Sequence, residues 1–250
     1  MPYQSVQELE EAKRKFILLV THELRSPVGV IRSLLRTLAG GYAGELTETQ
    51  SDLVDRADKR TEFLQTLIDD LLDLAASKTG LRGESKPEQI AIRELLTRII
   101  ERYRFVGEEK AIQLKLNGAA NSSITVTADP DELDRAFNNL VSNAIKYTPE
   151  RGEVTLTLDT VRDTARIQVI DSGIGIPEDA LPHLFEEFYR APNARARVAQ
   201  GTGLGLTITK EIINRYGGTI RVSSVEGEGT TFTIVLPLAS DDDNTDDTAG

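Results

Sequence analysis

Residues 16–38 read FILLVTHELRSPVGVIRSLLRTL, and the spacing of the apolar positions in this stretch decides the fold. Ile17, Val20, Leu24, Val28, Ile31, Leu35 and Leu38 follow one another at intervals of three or four, which lays one apolar stripe along a helix. Gly40-Gly41-Tyr42-Ala43-Gly44 stops that helix. Thr47 with Glu48 and Gln50 reads as an N-cap with a capping-box partner at the third position. A second stripe follows at Leu53, Ala57, Leu64, Leu67, Leu71 and Leu74. Two helices of about 30 residues, about 45 Å each at a rise of about 1.5 Å per residue, cannot bury both stripes in one hairpin. The expected solution is a four-helix bundle built by two chains, so the stripes predict a homodimer.

The composition narrows the function classes. The 250 residues carry 29 basic and 40 acidic side chains, a net charge of -11, and five of the acids lie in 241–247. An acidic chain is a poor ligand for nucleic acid or anionic lipid. With no cysteine there is no disulfide framework, thiolate zinc site or cysteine nucleophile. His22 and His183 are the only histidines, too few for a multi-histidine metal centre. The longest apolar run, Phe16 to Val20, is far short of the ~20 residues a membrane helix needs. The chain begins on a charged amphipathic stretch and not on a signal peptide. The expectation is a soluble, cytoplasm-compatible protein of two modest domains.

Beyond a polar linker at 80–87 the pattern changes to mixed helix and strand. Ile92 to Val106, Asp131 to Lys146 and Thr202 to Tyr216 read as helices. Ile112 to Leu116, Ile124 to Thr127, Val154 to Leu158 and Arg166 to Ile170 alternate like strands, and Thr219 to Val225 pairs with Thr230 to Leu236 as a closing hairpin. The expected division is a helical hairpin over 1–79, the linker, an α/β domain over 88–239 and an acidic, disordered tail over 240–250.

Three segments carry chemistry. His22 lies about 200° around the helix from the stripe residues beside it, which predicts a solvent-facing ring. Glu23 follows it, and Ser26 lies four residues on, on the same face. A solvated surface histidine explains His22 alone, but Pro27 inside a strong helical stripe costs about 3 kcal/mol and needs a reason. An imidazole beside a carboxylate is a good nucleophile. Asn139, Asn143 and Lys146 fall at i, i+4 and i+7, with Tyr147 beside them. Amide oxygens suit a hard cation such as Mg²⁺ and the ammonium suits a phosphate, although a plain polar helix face has the same pattern.

The third segment is Asp171-Ser172-Gly173-Ile174-Gly175-Ile176-Pro177, directly after an alternating strand. A carboxylate followed by glycines lets a flat ring approach the backbone and accepts from an exocyclic amine, although an ordinary turn is the simpler reading of the segment alone. Gly201-Thr202-Gly203-Leu204-Gly205-Leu206 then opens a helix, whose free N–H groups suit an anion. It matches neither a P-loop nor Gly-x-Gly-x-x-Gly, since Leu206 occupies the third glycine position. The order of these segments says more than any one of them.

In that order they resemble the motifs of sensor histidine kinases. Phe16 to Pro27 is similar to the H-box, Asn139 to Tyr147 to the N-box and Asp171 to Gly175 to the G1 box. Leu184 to Arg190 resembles the F-box and Gly201 to Leu206 the G2 box, so the resemblance covers roughly residues 10–238. It implies an α+β chain: a HisKA-type hairpin that dimerises into a four-helix bundle, then a two-layer α/β sandwich of the Bergerat (HATPase_c) type that binds ATP.

Carried onto this sequence, the resemblance makes His22 the phospho-acceptor and Glu23 its base. Asn143 ligates Mg²⁺ with Asn139 in support, and Lys146 and Arg190 contact phosphates. Tyr147 lines the adenine pocket and Asp171 binds the adenine amine. Gly173, Gly175, Gly201, Thr202, Gly203, Leu204 and Gly205 shape the pocket and its lid, and Ala191 to Gln200 form a mobile lid. The partner implied is the receiver domain of a response regulator. Ser26 stands where the family commonly has Thr or Asn for dephosphorylating that partner; it keeps a hydroxyl but loses the β-methyl. The sequence shows no sensor, membrane helix or receiver domain, as in a catalytic core of a longer, membrane-bound sensor. Two alternatives are another Bergerat-type ATPase, which lacks the helix-borne His-Glu-x-x-Ser-Pro, and a non-enzymatic scaffold, which has no need of intact Asn143, Lys146, Asp171 and Gly203.

Overall fold

The computed structural model describes residues 2–79, 87–118, 124–198 and 200–239, with residues 2–18, 22 and 76–79 as backbone only. The expected acidic tail and most of the expected linker lie outside the described residues. The chain divides into two compact units, Met1–Gly83 with Gln200–Leu204, and Glu84–Ala199 with Gly205–Gly250.

The first unit is built on two helices, α1 (Pro2–Ala39) and α2 (Glu48–Thr79), and α1 runs through Pro27. α1 ends in a Schellman turn, in which Tyr42 N donates to Thr37 O at 3.2 Å and Gly41 N to Leu38 O at 3.1 Å. The capping box forms reciprocally: Thr47 N donates to Gln50 Oε1 at 2.9 Å and Gln50 N to Thr47 Oγ1 at 3.3 Å. Ion pairs fix the register between the helices. Arg25 bridges to Asp69, and Arg32 reaches Glu62, Gln65 at 3.1 Å and Asp58 at 3.6 Å. Such exposed pairs add little stability but distinguish one register from its neighbours.

Thr21 and Val28 of α1 and Thr61, Ile68, Leu74 and Ala75 of α2 are buried. Of the stripe read in the sequence, Leu74 is buried within one chain while Leu53 and Leu64 are left exposed by it, and Ile68, not read as part of the stripe, lies inside. On α1, Leu19 (63% exposed), Leu24, Val30, Ile31 and Leu34 (61%) stay uncovered within one chain.

The second unit has two layers. β1 (Glu88–Ala91) pairs antiparallel with a later strand, a short element the sequence did not betray, and leads into α3 (Ile92–Glu109). β2 (Gln113–Gly118), β3 (Thr125–Ala128), α4 (Pro130–Tyr147), β4 (Glu153–Val161) and β5 (Thr164–Asp171) follow. A 3-10 turn (Glu178–His183), α5 (Pro192–Arg197), α6 (Gly205–Arg215), β6 (Thr219–Val225) and β7 (Gly229–Pro237) complete it. The main sheet has the order β2-β4-β5-β7-β6, with β2 parallel to β4 and the other pairs antiparallel. α3, α4 and α6 pack on one face.

The strand alternation explains this layering. Val154, Leu156 and Leu158 of β4, Ala165, Ile167 and Val169 of β5, and Phe232, Ile234 and Leu236 of β7 point into the helices and are buried. The opposite face is polar, where Thr157, Gln168 and Thr233 bond across three strands at 3.3 Å each. The segment read as a helix from Thr202 becomes helical only at Gly205. Part of the expected lid is the ordered helix α5.

Candidate functional site

The inward series of β5 does not end on an apolar side chain. After Ala165, Ile167 and Val169 the next inward position is Asp171, 9% exposed. Its Oδ1 accepts from Gly173 N at 2.9 Å and from Thr230 N, its register partner on β7, at 3.3 Å. Burial pushes the carboxyl up to about 6 against the lowering effect of those two N–H groups. A group poised this way remains largely ionised at neutral pH and offers a buried acceptor to a donor on a ligand.

The loop after β5 is held tightly. Ile174 N donates to Tyr147 O at 3.2 Å, Gly227 N to Ile174 O at 2.9 Å and Asn193 Nδ2 of α5 to Gly175 O at 2.9 Å. Gly175 has φ +61, and a Cβ there would lie 1.9 Å from Val225 O. Only glycine lets the loop pass beneath the β6–β7 turn in this conformation.

α4 supplies the second wall. Asp129 caps it, accepting from Asp131 N at 2.8 Å and Glu132 N at 3.1 Å, with Pro130 in the first turn. Asn139 reaches across to α6, donating from Nδ2 to Thr209 Oγ1 at 3.0 Å and accepting from Asn143 Nδ2 at 3.4 Å. A Cβ on Gly205 would lie 2.3 Å from Asn139 Oδ1, so the first residue of α6 must be glycine for this approach. Lys146 Nζ stands 5.4 Å from the centroid of the Tyr147 ring. Burial and then the charge of Arg190 push its ammonium below the ordinary value. Two cations near each other suit a polyanion. Arg190 also donates to the carbonyls of Ala194, at 3.5 Å, and Val198 on α5 and its end.

The second unit therefore brings together Asn139, Asn143, Lys146, Tyr147, Asp171, Gly173, Gly175, Arg190 and Gly205. Gly201, Thr202, Gly203 and Leu204 group with the first unit, where Thr202 Oγ1 accepts from Leu204 N at 3.3 Å. His22, Glu23 and Ser26 lie on α1; Glu23 and Ser26 are exposed, and the His22 side chain lies outside the described residues. Sequence reasoning missed two groups. One is Ser224 and Thr230 of the β6–β7 hairpin, which back the Asp171 loop. The other is Glu132, 2% exposed, which pairs with Arg215 and accepts from Tyr216 Oη at 2.7 Å, tying α4 to the far end of α6. A glutamate on the apolar face of α4 was the available signal for it.

A two-layer α/β sandwich that buries a lone carboxylate at a strand end, beside an Asn/Lys helix face, defines a class of nucleotide-binding ATPase domain. Residues 128–240 match the family described as Histidine kinase-, DNA gyrase B-, and HSP90-like ATPase, and residues 12–80 match the His Kinase A (phospho-acceptor) domain. Sensor histidine kinase WalK of Bacillus subtilis (strain 168) is 35% identical over 241 residues, covering 95% of this chain and 39% of that protein. The structure of ShkA full-length in complex with AMPPNP aligns with a TM-score of 0.75 at 26% identity, over 90% of this chain and 46% of that one. The mycobacterial sensor histidine kinase MprB aligns with a TM-score of 0.54 at 31% identity, over 60% of this chain and 98% of that one. The chain belongs to the sensor histidine kinases, with a HisKA hairpin and an ATP-binding HATPase_c domain. It spans from 31% to 51% of the length of the first curated relatives it matches.

Proposed function

We propose that this chain is an ATP-dependent autokinase core that phosphorylates His22 and passes the phosphoryl group to an aspartate of a response regulator. The observation that carries the reading is one chain holding both a buried Asp171 beside the Asn143–Lys146 face and a His-Glu-x-x-Ser-Pro sequence on a hairpin helix. Asp171 would accept from the 6-amine of adenine, a position where guanine presents a carbonyl. Tyr147 would line the ring, and Lys146 and Arg190 would face the phosphates.

The donor set also fits Mg²⁺. Asn143 offers a hard amide oxygen with Asn139 behind it, and the described residues hold no cluster of three acidic or histidine side chains. Magnesium is commonly held by one or two protein oxygens together with substrate phosphates. Bound there, it would neutralise charge on the transferring group. A ring nitrogen of His22 attacks the γ-phosphorus; an N–P bond forms as the bond to the β,γ-bridging oxygen breaks, and ADP leaves with that electron pair. Glu23 takes the ring proton. In the second transfer a receiver carboxylate attacks phosphorus, the N–P bond breaks and the imidazole recovers a proton.

Ser26, one turn beyond His22 and exposed, would orient water against the regulator's phosphoryl-aspartate. The uncovered α1 face of Leu19, Leu24, Ile31 and Leu34 supports a homodimer through a four-helix bundle. Among the described residues no helix is long and apolar enough to cross a membrane. The partial coverage of its relatives supports reading this chain as the core of a longer sensor.

Incubation with γ-labelled ATP and Mg²⁺ tests the reading. Acid-labile, base-stable label on the wild type, lost in His22→Gln with ATP affinity unchanged, is the expected result. Label surviving in His22→Gln, or no label on folded wild type, overturns it.

A further inference from the structure

We infer that Ser224, on β6 and outside the five motifs, is a positioning residue for adenine recognition: it ties the loop after β5 to the β6–β7 hairpin so that Asp171 faces the base. The inference rests on the proposed reading of Asp171 as the acceptor for the adenine amine.

Ser224 Oγ accepts from Ile176 N at 2.9 Å, two residues past the end of the Gly173–Ile174 turn. It lies 2.7 Å from Gly229 O, to which it donates. It also lies 2.9 Å from Thr230 Oγ1, whose hydroxyl then donates to Ser224. A serine hydroxyl has one donor and two acceptor sites, and these three partners use all of them. One side chain thus fastens the outgoing end of the Asp171 loop to both residues that begin β7.

The consequence reaches Asp171 in one step. Its Oδ1 takes one N–H from each segment that Ser224 joins, Gly173 N at 2.9 Å and Thr230 N at 3.3 Å. Both donors converge on Oδ1, so Oδ2 is the oxygen that the proposed reading assigns to the adenine amine. The carboxylate plane is otherwise poorly fixed, because the terminal torsion of aspartate is broad and roughly two-fold. The Thr230 bond is at the long end of the useful range, so a small slip of the hairpin breaks it. Without the Ser224 hydroxyl, Ile176 N–H and Gly229 O lose a partner, and the loop is left held to the hairpin by Gly227 N to Ile174 O and the β5–β7 pairing. The slackened segment beyond Gly173 lets the carboxylate turn off the amine. The phosphate side of the site, on α4, is not touched.

Such a residue affects the reading of the base more than the affinity for the triphosphate. The test measures dissociation constants for ATP and for inosine triphosphate, which carries a carbonyl in place of the 6-amine. Wild type, Ser224→Ala, Ser224→Cys and Ser224→Thr are compared, with the melting midpoint of each. Wild type is expected to prefer ATP by about 10- to 100-fold, the worth of a hydrogen bond to a charged group. Ser224→Ala is expected to lose most of that preference while binding inosine triphosphate as wild type does, and Ser224→Thr, which keeps the hydroxyl, to restore it. Both nucleotides weakened in equal proportion, with the preference intact, means a role in folding only and overturns the inference. No preference in wild type overturns the reading of Asp171 instead. Should Ser224→Ala not fold, Ser224→Cys, similar in size but a weak hydrogen-bonding partner, decides the matter by the same ratio.

Discussion

On the proposed reading of Asp171 as the acceptor for the adenine amine, protonating it removes that acceptor, so ATP affinity should fall with pH in a window set by this one group. Its carboxyl is pushed up to about 6 from an ordinary 3.8 by burial. A ligand that selects the ionised form binds in proportion to the ionised fraction. With a pKa of about 6 that fraction falls from nearly all above about pH 7 to about a tenth at about pH 5, an affinity loss of about tenfold. A carboxylate at its ordinary value would stay ionised over the same span. Asp171→Asn removes the titration and the charged acceptor together. It should weaken ATP by about 10- to 100-fold near neutral pH, from a hydrogen bond worth about 1.5–3 kcal/mol. Displacement of a fluorescent ATP analogue, on wild type and Asp171→Asn from about pH 5 to about pH 8, reads both effects. The nucleotide's own phosphate titration is common to the two proteins and cancels in their ratio. A ratio that stays flat across the window would falsify the assignment.

The same group makes an opposite prediction for stability. The folded carboxyl holds its proton more tightly than the unfolded one, so between 3.8 and about 6 the unfolded chain ionises first. Stability from this group is therefore present at low pH and lost as pH rises through the folded value, a cost at neutral pH of up to about 3 kcal/mol. Asp171→Asn should raise the melting midpoint at neutral pH even as it weakens ATP, with the gain gone below about pH 4. Weaker binding together with higher stability separates loss of a functional acceptor from loss of fold.

Two further outcomes are expected. Glu132→Gln keeps the volume but removes the charge facing Arg215, and should destabilise the protein by about 1–3 kcal/mol in chemical denaturation; an unchanged midpoint would show that the buried pair contributes nothing net. Ser26→Ala should slow decay of phosphorylated regulator in the presence of ADP while leaving His22 labelling intact, and Ser26→Thr should match or exceed wild type because a β-branched side chain is stiffer at χ1. Equal decay in all three would leave Ser26 as a helix-surface residue.

The legible part of the fold was the part governed by periodicity. The alternation from Arg166 to Ile170 and the pattern from Asp131 to Lys146 predicted a strand and a helix, which form as β5 and α4. The capping box at Thr47 and Gln50 was legible because its chemistry is local. On α2 the stripe was read without Ile68, which packs in the hairpin, whereas Leu53 and Leu64 of the stripe belong to a face that one chain leaves open. β1 escaped because Glu88–Ala91 is four residues long and gains its identity only from pairing with β3. Ser224 and Glu132 escaped for the same reason. The loop partner of Ser224, Ile176, is 48 residues away and the Arg215 partner of Glu132 is 83 away; only Glu132 carried a local signal, its place on the apolar face of α4.

The placement of Asp171 shows how the nucleotide unit accommodates an unfavourable residue. One position in an inward series that otherwise carries Ala165, Ile167 and Val169 is given to a carboxylate, at the strand end where a loop and a hairpin can supply N–H groups. Burial there penalises the charge, and the backbone donors offset only part of the penalty, which is why the carboxyl stays near 6. A central position such as Ile167, 0% exposed and four residues before the strand end, has no such loop donor to offset the buried charge. The group proposed to read the base therefore sits at the end of the strand, held both by Gly173 of its own motif and by Thr230 of the hairpin. The hairpin unit meets the opposite condition: its ion pairs fix register while Leu19, Leu24, Ile31 and Leu34 stay exposed. Its remaining apolar face can be buried only by another surface. On the proposed reading, the base is met by contacts of Asp171 made within the second unit, whereas completion of a helical bundle would depend on association.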